Sequence, residues 1–337
     1  MKHNIKYLIC LLSLAAVVVS CEKTIKFSGE EQKSMLVLNS IATPGDTLGV
    51  NVSYSIFFLD NLSEYAHDGI SLPDGECDIK AVINGSSTYK FTRSDLTGDY
   101  VCSYVPAEGD RVQISADVPG FDSVKAETTV PEKASFDFTS HSISKVDSTE
   151  DLLKISFSIH DRENEDDFYM LRVFLITDYS YMNPETGKPD STAFVTRCDF
   201  ASSSPVFRKL DVSSLLEEIF GDEFQESTLS PLFSDHMFDG EDYEIEVLLN
   251  ANHFSGPVSF SYGGTESISD YTYSYKVRMD LTAVSDDYYY YYMSLENKDN
   301  GYDLGELFGE SSQVYSNVDG GIGFLGALTG NVKEFDF

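Results

Sequence analysis

The sequence predicts a mainly β protein. An N-terminal antiparallel β-sandwich, of immunoglobulin-like or transthyretin-like kind, is followed by a larger antiparallel β domain with one or two short helices. Three observations predict it. Short alternations of apolar and polar residues recur along most of the chain, and a period of two is that of a half-buried strand. Turn residues separate them at regular spacing, as in Thr43-Pro44-Gly45-Asp46, Asn84-Gly85 and Glu108-Gly109-Asp110, and such turn chemistry between short strands marks a sandwich. Helical spacing is confined to Val212–Phe220 and the stretch that follows Ser285.

The elements follow in order. Met35–Ser40 and Leu48–Tyr54 flank the first turn, and Cys77–Ile83 with Thr88–Phe91 form a hairpin around Asn84-Gly85, a dipeptide suited to the positive φ of a tight hairpin turn. Asp99–Tyr104, Arg111–Val118 and Val124–Val130 complete the sandwich, which Pro131 closes. In the second region Lys154–Ile159, Phe168–Thr177, Tyr243–Leu249, Val258–Tyr262 and Tyr271–Val284 read as strands. On Val212–Phe220, Val212, Leu215, Leu216 and Ile219 share a face that Ser213 or Ser214 can cap. Ser285-Asp286-Asp287 starts a second helix, with its acids at the positive end of the helix dipole. The sequence finishes with a strand, Val314–Ser316, followed by the glycine-rich Gly320-Gly321-Ile322-Gly323-Phe324-Leu325-Gly326.

Ahead of the strands stands an export signal. Lys2 and Lys6 precede the apolar run Tyr7–Val19, and Val18-Val19-Ser20-Cys21 fits the bacterial lipobox: two aliphatics, a small residue and the cysteine that is lipidated. The run is too short for a hydrocarbon core of about 30 Å, so residues 1–20 read as a removed signal peptide. Cys21 is then the lipidation site and attaches the protein to a membrane. Residues 21–34, polar and charged, form a tether, residues 35–132 the sandwich and residues 133–337 the C-terminal domain.

With 23 basic against 56 acidic residues the formal charge is −33. Such a surface repels nucleic acid and anionic headgroups, which makes both poor partner candidates. Three cysteines remain after the signal and the lipid are accounted for: Cys77, Cys102 and Cys198. Cys77 and Cys102 lie on neighbouring predicted strands, and a disulfide between them or two reduced buried thiols both suit the pattern. No Cys/His spacing suggests zinc.

The mature chain resembles the DUF4249 family of Bacteroidetes lipoproteins. The resemblance is carried by Cys21-Glu22-Lys23, Leu36-Val37-Leu38-Asn39 with Thr43-Pro44-Gly45-Asp46, Gly98-Asp99-Tyr100, Phe233-Ser234-Asp235 with Phe238-Asp239-Gly240, and Ser285-Asp286-Asp287-Tyr288-Tyr289. Its most specific segment is Val314-Tyr315-Ser316-Asn317-Val318-Asp319-Gly320-Gly321-Ile322-Gly323-Phe324. The resemblance implies an envelope lipoprotein of the outer membrane, at the cell surface, that accompanies a TonB-dependent transporter in nutrient uptake. It supplies no catalytic residues and no ligand.

Few residues suggest chemistry of their own. Asp161–Asp167 offers carboxylates to a hard cation, but EF-hand spacing and a glycine at the sharp turn are missing. A solvated strand connector is the expected role, and no metal site or cofactor is assigned. In the tyrosine run, Tyr288, Tyr291, Tyr292 and Leu295 share the core face of a helix, which leaves Tyr289 and Tyr290 outward as partner or ligand contacts. The glycines at 320, 321 and 323 lack phosphate-loop spacing and are expected to pack the C-terminal strand closely. His67, His141, His160, His236 and His253 are scattered, Asp235 and His236 are adjacent and so expected to point apart, and no nucleophile motif occurs. The expected class is therefore a non-enzymatic binding protein. A stand-alone glycan- or peptide-binding protein is the alternative, although the absence of Trp argues against glycan stacking; a divalent-cation-dependent hydrolase ranks third.

Overall fold

The structure is a computed structural model that describes residues 33–56, 72, 77–95, 98–145, 151–163, 165–183, 186–208, 229–250, 260–262, 266–268, 271–299 and 313–336. The expected signal peptide, Cys21, nearly all of the expected tether and the helix expected at Val212–Phe220 lie outside them. The fold is mainly β, as expected, with several antiparallel sheets and one helix among the described residues.

Strands β1 (Leu36–Ala42), β2 (Gly49–Tyr54), β3 (Asp78–Ile83), β4 (Ser87–Lys90), β5 (Thr92–Arg93), β6 (Tyr100–Val101), β7 (Arg111–Asp117) and β8 (Val124–Thr129) make the first half. β4-β3-β7-β8 is a four-stranded antiparallel sheet. It faces β1 and β2, and the inward residues of both layers form one core, among them Leu36, Leu38, Val52, Ile79, Ile114 and Val124. The alternation that predicted these strands is the alternation of burial: β1 and β3 bury every second residue. Of the expected Asp99–Tyr104 strand only Tyr100–Val101 is strand, and beyond it Cys102 and Tyr104 still exchange backbone hydrogen bonds with Leu48.

The second half comprises β9 (Ser135–Lys145), β10 (Asp151–His160), β11 (Phe168–Met182), β12 (Pro189–Cys198), β13 (Leu232–Ser234), β14 (Asp242–Asn250), β15 (Phe260–Tyr262), β16 (Glu266–Ile268), β17 (Tyr271–Val284), helix α1 (Asp286–Asp299) and β18 (Ile322–Asp336). β14-β10-β9 packs its inner face against β11 and β17, and Ile155, Phe157, Leu171, Val173, Met279 and Val247 are sealed between them. Burying one such side chain contributes about 1.5–3 kcal/mol. β9 and β12 escaped the sequence reading; in β12 nine of the ten residues are not buried, so it carries no buried face to read.

β18 joins the halves. It pairs antiparallel with β17 along one edge and parallel with β1 along the other, giving the sheet order β12-β11-β17-β18-β1-β2-β6-β5. Its Leu325 and Ala327 enter the first core, whereas Phe335 packs on the second. The changeover between cores falls between Val130 and Ala134. Lys333 on β18 also binds Asp137 on β9 at 2.6 Å.

The C-terminal strand expected at Val314–Ser316 lies elsewhere. Val314–Ser316 is not a strand, because its backbone is held by side chains: the Tyr315 N–H donates to Ser294 Oγ at 3.0 Å and the Val318 N–H to Ser316 Oγ at 3.3 Å. The strand instead starts within the glycine-rich stretch, at Ile322, and runs to Asp336.

Cys77, Cys102 and Cys198 stand as free cysteines in the structure. Cys102 is buried in the first core, Cys77 is partly buried against that core, and Cys198 is buried in the second. Burial pushes the Cys102 and Cys198 thiols above their ordinary range. No described helix is long and apolar enough to cross a membrane.

Candidate functional site

Register places two loops side by side. β10 pairs β14 with His160 opposite Asp242, and β11 pairs β13 with Phe168 opposite Ser234. The link from β10 to β11 (residues 161–167) therefore lies along the link from β13 to β14 (residues 235–241). Reciprocal bonds join them: the Asp167 N–H donates to Asp235 Oδ2 at 2.7 Å, and the Asp235 N–H donates to the Asp167 carbonyl at 3.0 Å. The Gly240 N–H donates to Asp161 Oδ2 at 2.9 Å, and Tyr169 OH donates to Asp161 Oδ1 at 2.6 Å.

Residues 235–241 form a tight turn, with the Phe238 N–H on the Asp235 carbonyl at 2.6 Å and buried Phe238 stacked on Tyr243. Gly240 has φ +71°, and a Cβ there would stand 3.0 Å from the Glu163 backbone, so glycine lets the loops approach. The turn brings carboxylate oxygens of Asp161, Asp235 and Asp239 within 4.8 Å of one another. Asp235 is 1 % exposed. Burial, then the neighbouring carboxylates, pushes the Asp161 and Asp235 carboxyls above the ordinary range, against the hydrogen bonds they accept.

The loop at 161–167 is thus more than a solvated connector. Asp167 is buried, held by the Arg162 guanidinium, which also reaches Glu165 at 2.9 Å and Glu132 at 3.2 Å. A buried charge is tolerated when paired and hydrogen-bonded, and both Asp167 carboxylate oxygens accept from the Arg162 guanidinium. The Asp235–His236 expectation also changes. The two approach, with His236 Nδ1 3.5 Å from Asp235 Oδ1, because both sit in a turn rather than on a strand.

In front of Arg162 and Asp167 opens a cleft of about 390 Å³. Thr129, Val130, Pro131 and Glu132 form one wall, the 165–168 segment another, and Ser285, Asp286 and Tyr290 at the start of α1 the third. The cleft lies where the two cores change over.

Of the two tyrosines expected to face outward, Tyr290 does: it is 46 % exposed and lines this cleft, its ring 5.7 Å from that of Phe168. Tyr289 does not. It stacks on Phe168 at 4.5 Å and is half-buried in a third core with Phe168, Leu232, Val284, Tyr288 and Phe324. The helix packs on two sides: Tyr291 stacks on Phe324 of β18 at 3.9 Å while Tyr289 meets β11. Ser285 caps α1, as its Oγ accepts the Tyr288 N–H at 3.3 Å and the Ala327 N–H at 3.0 Å.

Sequence reasoning missed Arg162, Asp235 and Asp239 as neighbours of one site. A signal for the last two was present, since Phe233-Ser234-Asp235 and Phe238-Asp239-Gly240 were among the segments of the resemblance.

The fold and both loops lie within a single family match. The chain belongs to the family described as a domain of unknown function, DUF4249, whose model matches residues 22–334. No curated protein matches the chain.

Proposed function

We propose that the protein is a lipid-anchored lipoprotein of the outer membrane, displayed at the cell surface, that binds and assembles with a TonB-dependent transporter in nutrient uptake. The observation that carries the anchoring is Val18-Val19-Ser20-Cys21 behind a basic, apolar leader, with a charged tether before β1. The transporter as partner rests on the resemblance to DUF4249 lipoproteins.

In mechanism, acyl chains on Cys21 confine the β body to the membrane plane; more than one chain is needed for firm anchoring. Confinement raises the effective concentration at a neighbouring barrel, so a weak contact is occupied. The role is one of binding, without catalysis. The cleft between the cores, lined by the exposed Tyr290 and by Arg162, favours a second reading as a stand-alone peptide- or glycan-binding protein, since tyrosine offers an apolar face and a polar tip.

Purification of a C-terminally tagged protein from membranes in mild detergent tests the first reading. A transporter should co-purify, and Cys21→Ala should release the protein from the membrane and lose the transporter. Recovery of the lipoprotein alone would count against assembly. Binding on a peptide or glycan array that Tyr290→Ala abolishes would favour the second.

A further inference from the structure

We propose that Asp161, Asp235 and Asp239 form a Ca²⁺ site that clamps the 161–167 loop to the 235–241 turn. The proposal stands independently of the membrane role. Two oxygens on one Ca²⁺ at about 2.3–2.6 Å can be separated by up to roughly 5 Å. The three carboxylates, mutually within 4.8 Å, lie within the span of such a sphere. Among the described residues no other group of three acidic, His or Cys side chains has this spacing.

Asp235 supplies an independent indication. Its carboxylate is 1 % exposed and belongs to the group, and its Oδ1 is sealed from solvent with no hydrogen-bond partner. His236 Nδ1, at 3.5 Å, lacks the geometry of a hydrogen bond to it. A buried acceptor left unmatched costs about 1–3 kcal/mol, and more when charged. A cation is the partner that answers both the unmatched oxygen and the repulsion among three carboxylates. Arg162 is not that partner, because its guanidinium is engaged by Asp167, Glu165 and Glu132.

Calcium suits the site better than magnesium. The donors come from a loop and a turn, an irregular all-oxygen set that Ca²⁺ accepts and Mg²⁺, with its near-octahedral demand, does not. Three carboxylates leave room for water to complete six to eight ligands. Bound there, the ion would fix the loops behind the cleft wall, since Asp235 Oδ2 holds the Asp167 backbone and Asp167 holds Arg162.

The test uses the full-length protein in detergent, stripped with chelator. Adding Ca²⁺ to a hundredfold excess over its Kd should raise the melting temperature by about 3–8 °C. Tb³⁺ should give tyrosine-sensitised luminescence, because Tyr169 OH bonds Asp161 at 2.6 Å, and Ca²⁺ should quench it by competition. Asp239→Asn, at an exposed position, should fold normally and lose both responses, whereas Glu165→Gln should keep them. A wild-type protein with neither response overturns the site. So do responses that survive in Asp239→Asn, and protection by Mg²⁺ equal to that by Ca²⁺ overturns the calcium assignment.

Discussion

Gly323 of β18 stands opposite Leu38 of β1 in the parallel pair, at φ +111°. A Cβ at this position would be driven into the Leu38 carbonyl oxygen and would lie 2.9 Å from Asn39 Oδ1. Its neighbours are equally constrained, with a Cβ on Gly320 meeting the Ser123 carbonyl oxygen and one on Gly321 the Leu36 carbonyl oxygen, both at 2.5 Å. The glycines allow the last strand to reach the first, which is the close packing their sequence suggested.

Gly323→Ala is accordingly expected to destabilise by more than about 3 kcal/mol, through steric clash and a backbone conformation that L side chains rarely adopt. Gly85→Ala serves as the control, because Gly85 also has a positive φ, +67°, but nothing lies within 4 Å of its Cβ position. It should cost about 1 kcal/mol. Urea unfolding of both variants compares them, and equal losses would contradict the close approach.

Asn317 locks the same junction from outside. Its Oδ1 accepts the Leu325 N–H at 2.9 Å, and its Nδ2 donates to the Leu325 carbonyl at 2.9 Å and the Glu127 carbonyl at 3.3 Å. Asn317→Ala should cost about 1–3 kcal/mol by orphaning these backbone groups. Asn317→Asp should be comparably harmful, because a carboxylate cannot donate to either carbonyl. Thermal melts decide it, and a neutral Asn317→Asp would refute the donor role.

The parts of the fold legible in the sequence are those whose burial follows a simple period. β1, β3 and β7 alternate in both sequence and burial, so their existence and facing were readable. The pairing of β1 with β18 was not, because Val37 and Ile322 are separated by nearly the whole chain and no local pattern encodes a parallel partner. The same limit applies to the site. Asp161 and Asp239 meet only because two strand registers align their loops, and a charged loop looks solvated until its partner loop is in place.

The tyrosine run shows a finer version of this limit. Helical spacing assigns one buried face, but α1 packs against both β11 and β18, so Tyr289 is enclosed as well. Tyr289→Ala should lower stability by about 3–5 kcal/mol or somewhat less, given its partial exposure. Tyr290→Ala should change stability by under about 1 kcal/mol while altering any ligand contact in the cleft. A melt in which the two variants behave alike would reverse this assignment.

His160 bridges the β14-β10-β9 sheet, its Nδ1 2.7 Å from Asp242 and its Nε2 3.2 Å from Asp137. The Asp242 hydrogen bond first, and then Asp137, raises its pKa above the ordinary histidine value despite some desolvation. A raised value means the folded state binds the proton more tightly, so this stabilisation is complete below about pH 6.5 and fades as pH rises through the folded pKa. An NMR titration should place the His160 midpoint above that of the unfolded chain, and Asp242→Asn should lower it. A midpoint at or below the unfolded value would exclude the bridge.

Asp110 acts in the opposite sense. Burial alone would push its carboxyl up, but donors outweigh it: Tyr104 OH and the Ala107 N–H on Oδ2, and Asn84 Nδ2 on Oδ1, hold the carboxyl below its ordinary range. The same network fixes the Asn84-Gly85 hairpin against the turn before β7, since the Arg111 N–H donates to Asn84 Oδ1 at 2.9 Å. With the folded pKa depressed, the unfolded chain binds more protons, so the stabilisation is complete above the ordinary carboxylate value of about 3.9 and is lost as pH falls through the folded value. Asp110→Asn keeps the shape but replaces a charged acceptor with an amide, and should cost about 1–3 kcal/mol at pH 7. The gap between variant and wild type should shrink as both are titrated below pH 4, because protonation removes the charge the variant already lacks. Urea midpoints measured across that range test the sign, and a gap that widens in acid would mean that the Asp110 carboxyl is not held ionised by its donors.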